Sequence, residues 1–362
     1  MRKYFAKIHL WLSLPLGIVI VIVCLTGAIL VFEQEIKESL HPTRYFVEEV
    51  KGEPLPPATL MQLAREQLPD SFRLNGLRLS SDPKRTYQLV LPGKKAAGFI
   101  NPYTGEVTGV DDGKGFFLKT MQIHRWLLSD YKRDGSFSWG KALVGYSTLG
   151  LVLILLSGLF LWFPRNRKVL LNRLKIRTKA GGFRFFYDLH VTGGFYATLL
   201  LLAMALTGLT WSFGWYRNGL YSLLGVQTES PSHNSSPERK ERTQKRREYT
   251  AWNRVLAELQ ERYPAYQSLT LQEGTATVST ARYGNTRGSD RYLFDRQTGE
   301  ITEVQLYQDQ PKAQRIKGWI YSIHVGSWGG IATRIATCLA SLLGAACTLT
   351  GYYLWWRKKR RG

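Results

Sequence analysis

Long uncharged stretches dominate the pattern of apolar and polar positions along this chain. Residues 8–32, 142–164, 189–216 and 335–356 contain no Asp, Glu, Lys or Arg. A helix needs about 20 apolar residues to cross roughly 30 Å of hydrocarbon, and each stretch reaches that length. The pattern therefore predicts four membrane-spanning helices.

Two longer segments between these stretches have the patterning of small soluble modules. ATLMQLAREQLP (58–69) and AWNRVLAELQERYP (251–264) place apolar residues at helical spacing, and both end at a proline. β-like runs follow each of them, YQLVL (87–91) and ATVSTARY (276–283). The stretches FINPYTGEV (99–107) and FDRQTGEI (294–301) share Thr-Gly-Glu, which predicts a tight hairpin turn.

The two halves of the chain repeat this order of span, soluble module and span. Spans two and four also share an ending, SGLFLWFPRNRK (157–168) and TGYYLWWRKKRR (350–361). Such a repeat indicates an internal duplication. The predicted fold is an α-helical membrane protein: a four-helix transmembrane bundle with two small α+β modules outside the membrane.

The predicted organisation follows from these patterns. The expected boundaries are a first transmembrane helix at 1–33, a first module at 34–118, an outer histidine helix with the second transmembrane helix at 119–165, a basic connector at 166–188, a third transmembrane helix at 189–217, a second module at 218–312, and an outer histidine segment with the fourth transmembrane helix at 313–362.

Basic residues cluster beside the spans and predict their orientation. The chain of 362 residues has a formal net charge of +22. Three basic residues precede the first span, eight lie in 165–188 against Asp188 alone, and 357–361 are all basic. The positive-inside rule makes these segments and both termini cytoplasmic, with the two modules facing outward. Because much of the charge is a topology signal, a nucleic-acid partner is not expected.

Two further segments affect the predicted topology. The first apolar run exceeds the roughly 7–15 residues of a signal-peptide core and has no small-x-small cleavage site, so we expect a retained anchor. Residues 229–248 are rich in Pro, Ser and charge, which predicts a mobile, solvated loop.

Four of the six histidines form matched pairs. His9 and Thr26 are 17 residues apart, as are His190 and Thr207, with each histidine at the cytoplasmic end of its span. His124 and His324 precede spans two and four on the outer side, whereas His41 and His233 have no counterpart and are interpreted as surface residues. Ionisable groups at membrane edges are costly and usually functional. Matched neutral imidazoles across a bundle are what a bis-histidine haem iron requires.

Glycines support this interpretation. Seventeen helical residues rise about 25 Å, nearly the hydrocarbon thickness. Gly27 and Gly208 are therefore expected at the level of His124 and His324, while Gly158 and Gly351 are expected at the level of His9 and His190. Gly194 follows His190 by four residues on the same helix face. We expect these small residues to accommodate haem, with simple helix packing as the competing explanation.

The cysteines do not change this interpretation. Cys24, Cys338 and Cys347 all lie inside spans, and no C-x-x-C or C-x-x-C-H pattern occurs. The sequence therefore indicates neither a disulfide scaffold nor covalently attached c-type haem.

The chain resembles the PepSY-associated transmembrane proteins over nearly its whole length. The resemblance is carried by the His…Leu-Thr-Gly spans, the LWFPR and LWWRK endings and the paired Thr-Gly-Glu modules. Within that family, the likeness is to the FoxB-type periplasmic ferrisiderophore reductases. The resemblance implies a bacterial inner-membrane protein with two PepSY-like periplasmic modules, two b-type haems and reduction of ferric siderophore in the periplasm. Ligand roles carry over only to His9, His190, His124 and His324. No motif transfers for siderophore contacts, so no catalytic residue is assigned.

The expected function is an inner-membrane di-haem b oxidoreductase that passes electrons to ferric siderophore and releases Fe(II). No G-x-G-x-x-G follows a predicted strand and no P-loop is present, so any pyridine-nucleotide chemistry belongs to a partner. The electron donor, a quinol or a cytoplasmic reductase, is left unassigned. Three alternatives remain open: a haem b protein serving another periplasmic acceptor, a haem-free regulator whose modules restrain a peptidase, and a metal-ion transporter. The transporter is disfavoured because the mid-span residues are Leu, Ile and Val.

Overall fold

The computed structural model describes residues 1–69, 71–92, 96–129, 137–164, 166–226, 249–281 and 283–360. The chain forms two compact units. The helical unit contains residues 1–33, 116–225 and 320–362, and the sheet unit contains residues 34–115 and 226–319. The predicted mobile loop at 229–248 lies outside the described residues.

Each half of the chain forms a set of helices, then four strands, then further helices. The helices are α1 Arg2–Val31, α2 Glu33–Leu40, α3 Pro42–Tyr45, α4 Pro57–Gln67, α5 Phe116–Trp126, α6 Trp139–Trp162, α7 Arg167–Arg173, α8 Gly182–Asp188, α9 Gly194–Ser212, α10 Gly214–Leu223, α11 Thr250–Arg262, α12 Lys312–His324 and α13 Gly330–Lys359. The strands are β1 Gly76–Ser80, β2 Tyr87–Val90, β3 Ala97–Ile100, β4 Val107–Asp111, β5 Ser268–Gln272, β6 Thr275–Ser279, β7 Asp290–Phe294 and β8 Ile301–Gln305.

Four helical segments are long and apolar enough to cross a membrane, in agreement with the uncharged runs of the sequence. They are Arg2–Val31, Trp139–Trp162, Gly182–Ser212 and Ser327–Lys359. The third contains a π-helical turn at Leu189–Gly193, between α8 and α9. A π turn inserts one extra residue and is frequent at functional sites.

The four spans form a bundle in which α1 and α9 are diagonal to each other. Helix α1 packs along α6 and α13, and α9 packs along the same two helices. Apolar side chains such as Ile20, Ile154 and Leu201 fill the centre, together with small residues such as Ala197 and Ala340. Small side chains allow the helix backbones to approach one another closely.

The sheet unit is one antiparallel sheet of eight strands in the order β4-β3-β2-β1-β5-β6-β7-β8. Helices α4 and α11 pack against it and against each other. Their apolar faces, including Leu60, Met61, Val255 and Leu259, share one core with the strands. The helical spacing of apolar residues in the sequence therefore corresponds to the buried faces of these two helices.

The expectation of two modules is revised by the pairing of β1 with β5. Each half supplies a four-stranded meander, but Gly76 pairs with Gln272 and Ser80 with Ser268, so the two meanders form a single sheet. Separate modules would each leave the edge of β1 or β5 exposed, with unpaired backbone groups. Joining these edges satisfies both strands at once.

The predicted Thr-Gly-Glu hairpin turns are present between β3 and β4 and between β7 and β8. The Asn101 side chain accepts hydrogen bonds from the backbone N–H groups of Tyr103 and Thr104. Asp295 does the same for Gln297 and Thr298. The turn glycines, Gly105 and Gly299, both have φ of 73°, a left-handed conformation that favours glycine.

Gly76→Ala is expected to destabilise the joint between β1 and β5. A Cβ at this position would overlap the carbonyl oxygen of Leu271 in the paired strand, and backbone cannot yield as a side-chain end can. The expected cost is on the order of 1–3 kcal/mol, measured as a lower thermal midpoint of the full-length protein. The control is Gly98→Ala, where the added Cβ meets the Leu89 side chain at 3.1 Å. Equal midpoints for the two variants would contradict the prediction.

Candidate functional site

The helical unit brings the four matched histidines together as two facing pairs. His9 on α1 and His190 in the π turn have ring centroids 6.1 Å apart, with the ring planes at 89°. His124 on α5 and His324 on α12 have centroids 6.2 Å apart, with the planes at 64°. We call these the His9–His190 pair and the His124–His324 pair.

A backbone carbonyl of a spanning helix holds each of the four rings through its Nδ1 atom. The Nδ1-to-oxygen distances are 3.0 Å for His9 and Ile154, 2.9 Å for His124 and Val23, 2.8 Å for His190 and Cys347, and 2.9 Å for His324 and Met204. A carbonyl only accepts a hydrogen bond, so Nδ1 carries the proton in each ring. Nε2 is then the unprotonated nitrogen, and its lone pair is available to bind a metal.

The carbonyl that holds each ring belongs to a repeated element of the spanning helices. Three residues after it comes Ser or Thr, and a glycine follows directly. The elements are Leu25-Thr26-Gly27, Leu156-Ser157-Gly158, Leu206-Thr207-Gly208 and Leu349-Thr350-Gly351. The hydroxyl lies 3.1 Å from Nδ1 of the histidine at Thr26 and at Thr207, 3.3 Å at Ser157 and 3.4 Å at Thr350.

The glycine of each element lies against the edge of the same imidazole. A Cβ on Gly27 would lie 3.1 Å from Cε1 of His124, and one on Gly158 would lie 3.1 Å from Cε1 of His9. The corresponding distance is 3.2 Å for Gly208 to His324 and for Gly351 to His190. These four glycines thus lie at the levels that the sequence predicts, but the group against which they pack is the imidazole itself.

Burial keeps the His124–His324 pair neutral. It lowers the pKa of His124 and that of His324 to about 4, because a charged imidazolium is poorly solvated inside the protein. Neutral imidazole is the form that binds a metal. The protonation state and the Nδ1 hydrogen bonds therefore favour the same role for these rings.

The donor set fits an iron that is already held by a macrocycle. Among the described residues, no group of three or more His, Cys, Asp or Glu side chains could hold a metal ion, so each pair supplies only two ligands. A haem iron takes its equatorial ligands from porphyrin and needs only axial ligands from protein. With metal–nitrogen bonds of about 2 Å, two imidazoles that bound one iron through Nε2 would have centroids roughly 6 Å apart, which corresponds to the spacing of both pairs.

A buried donor near the His9–His190 pair is compatible with the same group. Trp162 lies four residues after Gly158 on α6, stacks on Phe195 at a centroid distance of 3.7 Å and is 6% exposed. Within the part of the chain that the structure describes, its indole N–H has no acceptor. The propionate groups of a porphyrin are acceptors of the kind that such a donor requires.

Comparison with known families agrees with the arrangement of spans. The family model of the PepSY-associated TM region matches residues 6–358. The chain belongs to this family. It is therefore a PepSY-associated membrane protein, with four helices able to span the bilayer. No curated protein matches the chain.

Gly194, the remaining glycine assigned from the sequence of this PepSY-associated protein, lies apart from the imidazoles. A Cβ there would lie 3.7 Å from Sγ of Cys347, an ordinary contact. Within α9 it therefore contributes to packing against α13. Its spacing from His190 is altered by the π turn, since the extra residue rotates the helix faces that precede and follow it.

Sequence reasoning missed three features of this site. The first is the Leu-Ser/Thr-Gly element of spans two and four: Leu-Thr-Gly is used for prediction only in spans one and three, but LSG and LTG also occur in the other two spans. The role of Cys347 was also missed: its carbonyl holds His190, and its thiol lies 3.7 Å from the carbonyl oxygen of Leu189 and 3.8 Å from that of His190. The third feature is Trp211, whose ring contacts His324. No local pattern signals the last two, because both depend on contacts between distant helices.

Proposed function

We propose that this protein is a di-haem b oxidoreductase of the bacterial inner membrane. It passes electrons from a quinol or a cytoplasmic reductase across the membrane, reduces ferric siderophore in the periplasm and releases Fe(II). The observation that carries the proposal is the occurrence of two facing imidazole pairs with centroids 6.1 and 6.2 Å apart. In both pairs, each Nδ1 is hydrogen-bonded to a helix carbonyl.

The positions of the two pairs along α1 support transfer across the membrane. His9 belongs to one pair, whereas Val23 and Gly27 contact the other pair through His124. The 18 residues from His9 to Gly27 correspond to about 27 Å of helix, close to the hydrocarbon thickness. The basic segments near residues 2–7, 166–184 and 357–360 adjoin the His9–His190 end, which the positive-inside rule makes cytoplasmic. Electrons would therefore leave at the His124–His324 end.

The protein's own residues orient and insulate the sites. A bound haem supplies a one-electron Fe(III)/Fe(II) couple whose potential depends on its axial ligands and on its exposure. Hydrogen bonds from Nδ1 to helix carbonyls fix each ring and raise the basicity of Nε2. Between the pairs, Ile20, Ile154 and Leu201 form an apolar core that excludes water. Fe(II) binds siderophores weakly, so reduction alone releases the metal.

Haem content tests this proposal directly. The purified full-length protein is expected to contain about two b-type haems per chain by the pyridine haemochrome assay, matching its two bis-histidine sites. The dithionite-reduced minus oxidised spectrum should show b-type bands. Anaerobic mixing of the reduced protein with ferric desferrioxamine should oxidise the haem and yield Fe(II), which ferrozine traps. Protein without haem, purified from cells able to make haem, would overturn the proposal. Haem that reduces normally but is not oxidised by the chelate would restrict the function to another acceptor.

A further inference from the structure

Trp211, at the end of α9, contacts one of the four histidines. Its ring centroid lies 5.0 Å from that of His324, with the ring planes at 72°, an edge-to-face arrangement. Within the described residues, no other tryptophan, tyrosine or phenylalanine ring contacts any of the four histidines. The contact therefore distinguishes His324 from its three counterparts.

The repeated Leu-Ser/Thr-Gly element shows that this difference is specific to one helix. Residues four apart lie on one helix face, so the residue four positions after each Ser or Thr shares the face of the hydroxyl that lies near the histidine. That residue is Leu30 on α1, Leu161 on α6 and Leu354 on α13, but Trp211 on α9. Three equivalent positions thus carry an aliphatic side chain, and one carries an indole.

Trp211 also reaches the surface of the helical unit. It is 36% exposed, while His324 is only partly exposed. The indole of Trp211 consequently connects the imidazole of His324 to the surface at the end of α9. Trp215, on α10, is 64% exposed and contacts Phe213 and Tyr216 rather than a histidine. Interfacial tryptophans are common in membrane proteins, so a position at the membrane interface is enough to explain why Trp215 is exposed. It does not explain the contact of Trp211 with His324.

We propose that Trp211 is the exit contact, against which the ferric chelate docks and through which the electron leaves. This inference rests on the proposed function. A haem iron held by the His124–His324 pair would give one electron to the Fe(III) of the chelate, which would leave Fe(III) in the protein and Fe(II) in the chelate. No proton or bond is exchanged, and the indole shortens the path without being oxidised itself. Trp211 is thus a positioning residue for the acceptor.

Docking is tested separately from electron transfer with a redox-inert chelate. Gallium(III) desferrioxamine cannot be reduced here, so calorimetric titration of full-length protein reports docking alone. Trp211→Leu, which introduces the residue of the other three positions, should weaken binding about tenfold. Trp211→Phe, which keeps an aromatic face, should bind nearly as the wild type does. Trp215→Leu is the matched control and should bind normally. Equal affinity in Trp211→Leu and Trp215→Leu would overturn the docking role.

Electron exit is tested by single-turnover oxidation of reduced protein with ferric desferrioxamine. Trp211→Leu should retain its haem content and spectrum, yet slow the oxidation about tenfold at a given chelate concentration, with Trp211→Phe restoring most of the rate. Normal oxidation in a haem-replete Trp211→Leu protein would refute the exit contact while leaving the proposed function intact. Wild-type protein that contains haem but is not oxidised would instead refute the proposed acceptor.

Discussion

His9→Ala is expected to remove one haem and to leave the other in place. The two histidine pairs share no residue, and Nδ1 of His9 is held by α6, whereas Nδ1 of His124 is held by α1. An alanine at position 9 leaves His190 as a single axial ligand, which should not retain haem through purification. Pyridine haemochrome analysis should therefore fall from about two haems per chain to about one. Dithionite should still reduce the haem that remains.

Double variants test whether each histidine pair holds one haem independently of the other. His9→Ala combined with His190→Ala removes both ligands of one pair and should resemble either single variant. His9→Ala combined with His124→Ala removes one ligand from each pair and should leave no haem. Loss of both haems in every single variant, or one haem retained in the cross-pair double variant, would contradict the assignment.

A control histidine separates ligand loss from a general effect of the substitution. His41 lies in the sheet unit and is exposed, so His41→Ala should retain both haems. Electron transfer supplies a second readout for the single variants. His9→Ala should block reduction by a donor at the basic end, whereas His124→Ala should allow that reduction but prevent oxidation by ferric desferrioxamine. These opposite defects follow from the placement of the pairs at the two ends of α1.

The sequence predicts the spans and the histidine pairs well because both are local or repeated signals. An uncharged run of sufficient length crosses a membrane as a helix, because its backbone polar groups must be satisfied within the segment. The repeated pattern of the two halves distinguishes His9, His190, His124 and His324 from the unmatched His41. Helices α4 and α11 are predicted for the same reason, because the spacing of their apolar residues is a local signal.

Features that depend on contacts between distant segments were not predicted. The pairing of β1 with β5 joins residues about 190 positions apart, and no turn signal connects them. The π turn at Leu189–Gly193 is stabilised by packing on α13, including Cys347 near the carbonyls of Leu189 and His190. The contact of the four glycines with the imidazole rings was not predicted either, because a small residue shows that space is needed without showing which group fills it.

Gly27→Leu is expected to remove the haem of the His124–His324 pair alone. Gly27 lies against the His124 ring, and a Cβ at this position would already lie 3.1 Å from Cε1 of that ring. A leucine would displace the imidazole and break its Nδ1 hydrogen bond to the carbonyl of Val23, which is 2.9 Å long. Without that bond, neither the tautomer nor the direction of Nε2 is fixed. Haem content should fall to about one per chain, with the His9–His190 haem unaffected.

A graded series at this position and a matched glycine elsewhere make the cause of the loss clear. Gly27→Ala requires the ring to move by only a few tenths of an ångström, so it should keep the haem but shift its spectrum or its midpoint potential. Gly158→Leu should mirror Gly27→Leu and affect the His9–His190 haem instead, because its Cβ would lie 3.1 Å from Cε1 of His9. Gly194→Ala is the control, since its Cβ would meet Cys347 Sγ at 3.7 Å, and it should change neither haem. Full occupancy with an unshifted spectrum in Gly27→Leu would show that the glycine serves helix packing and does not position the imidazole.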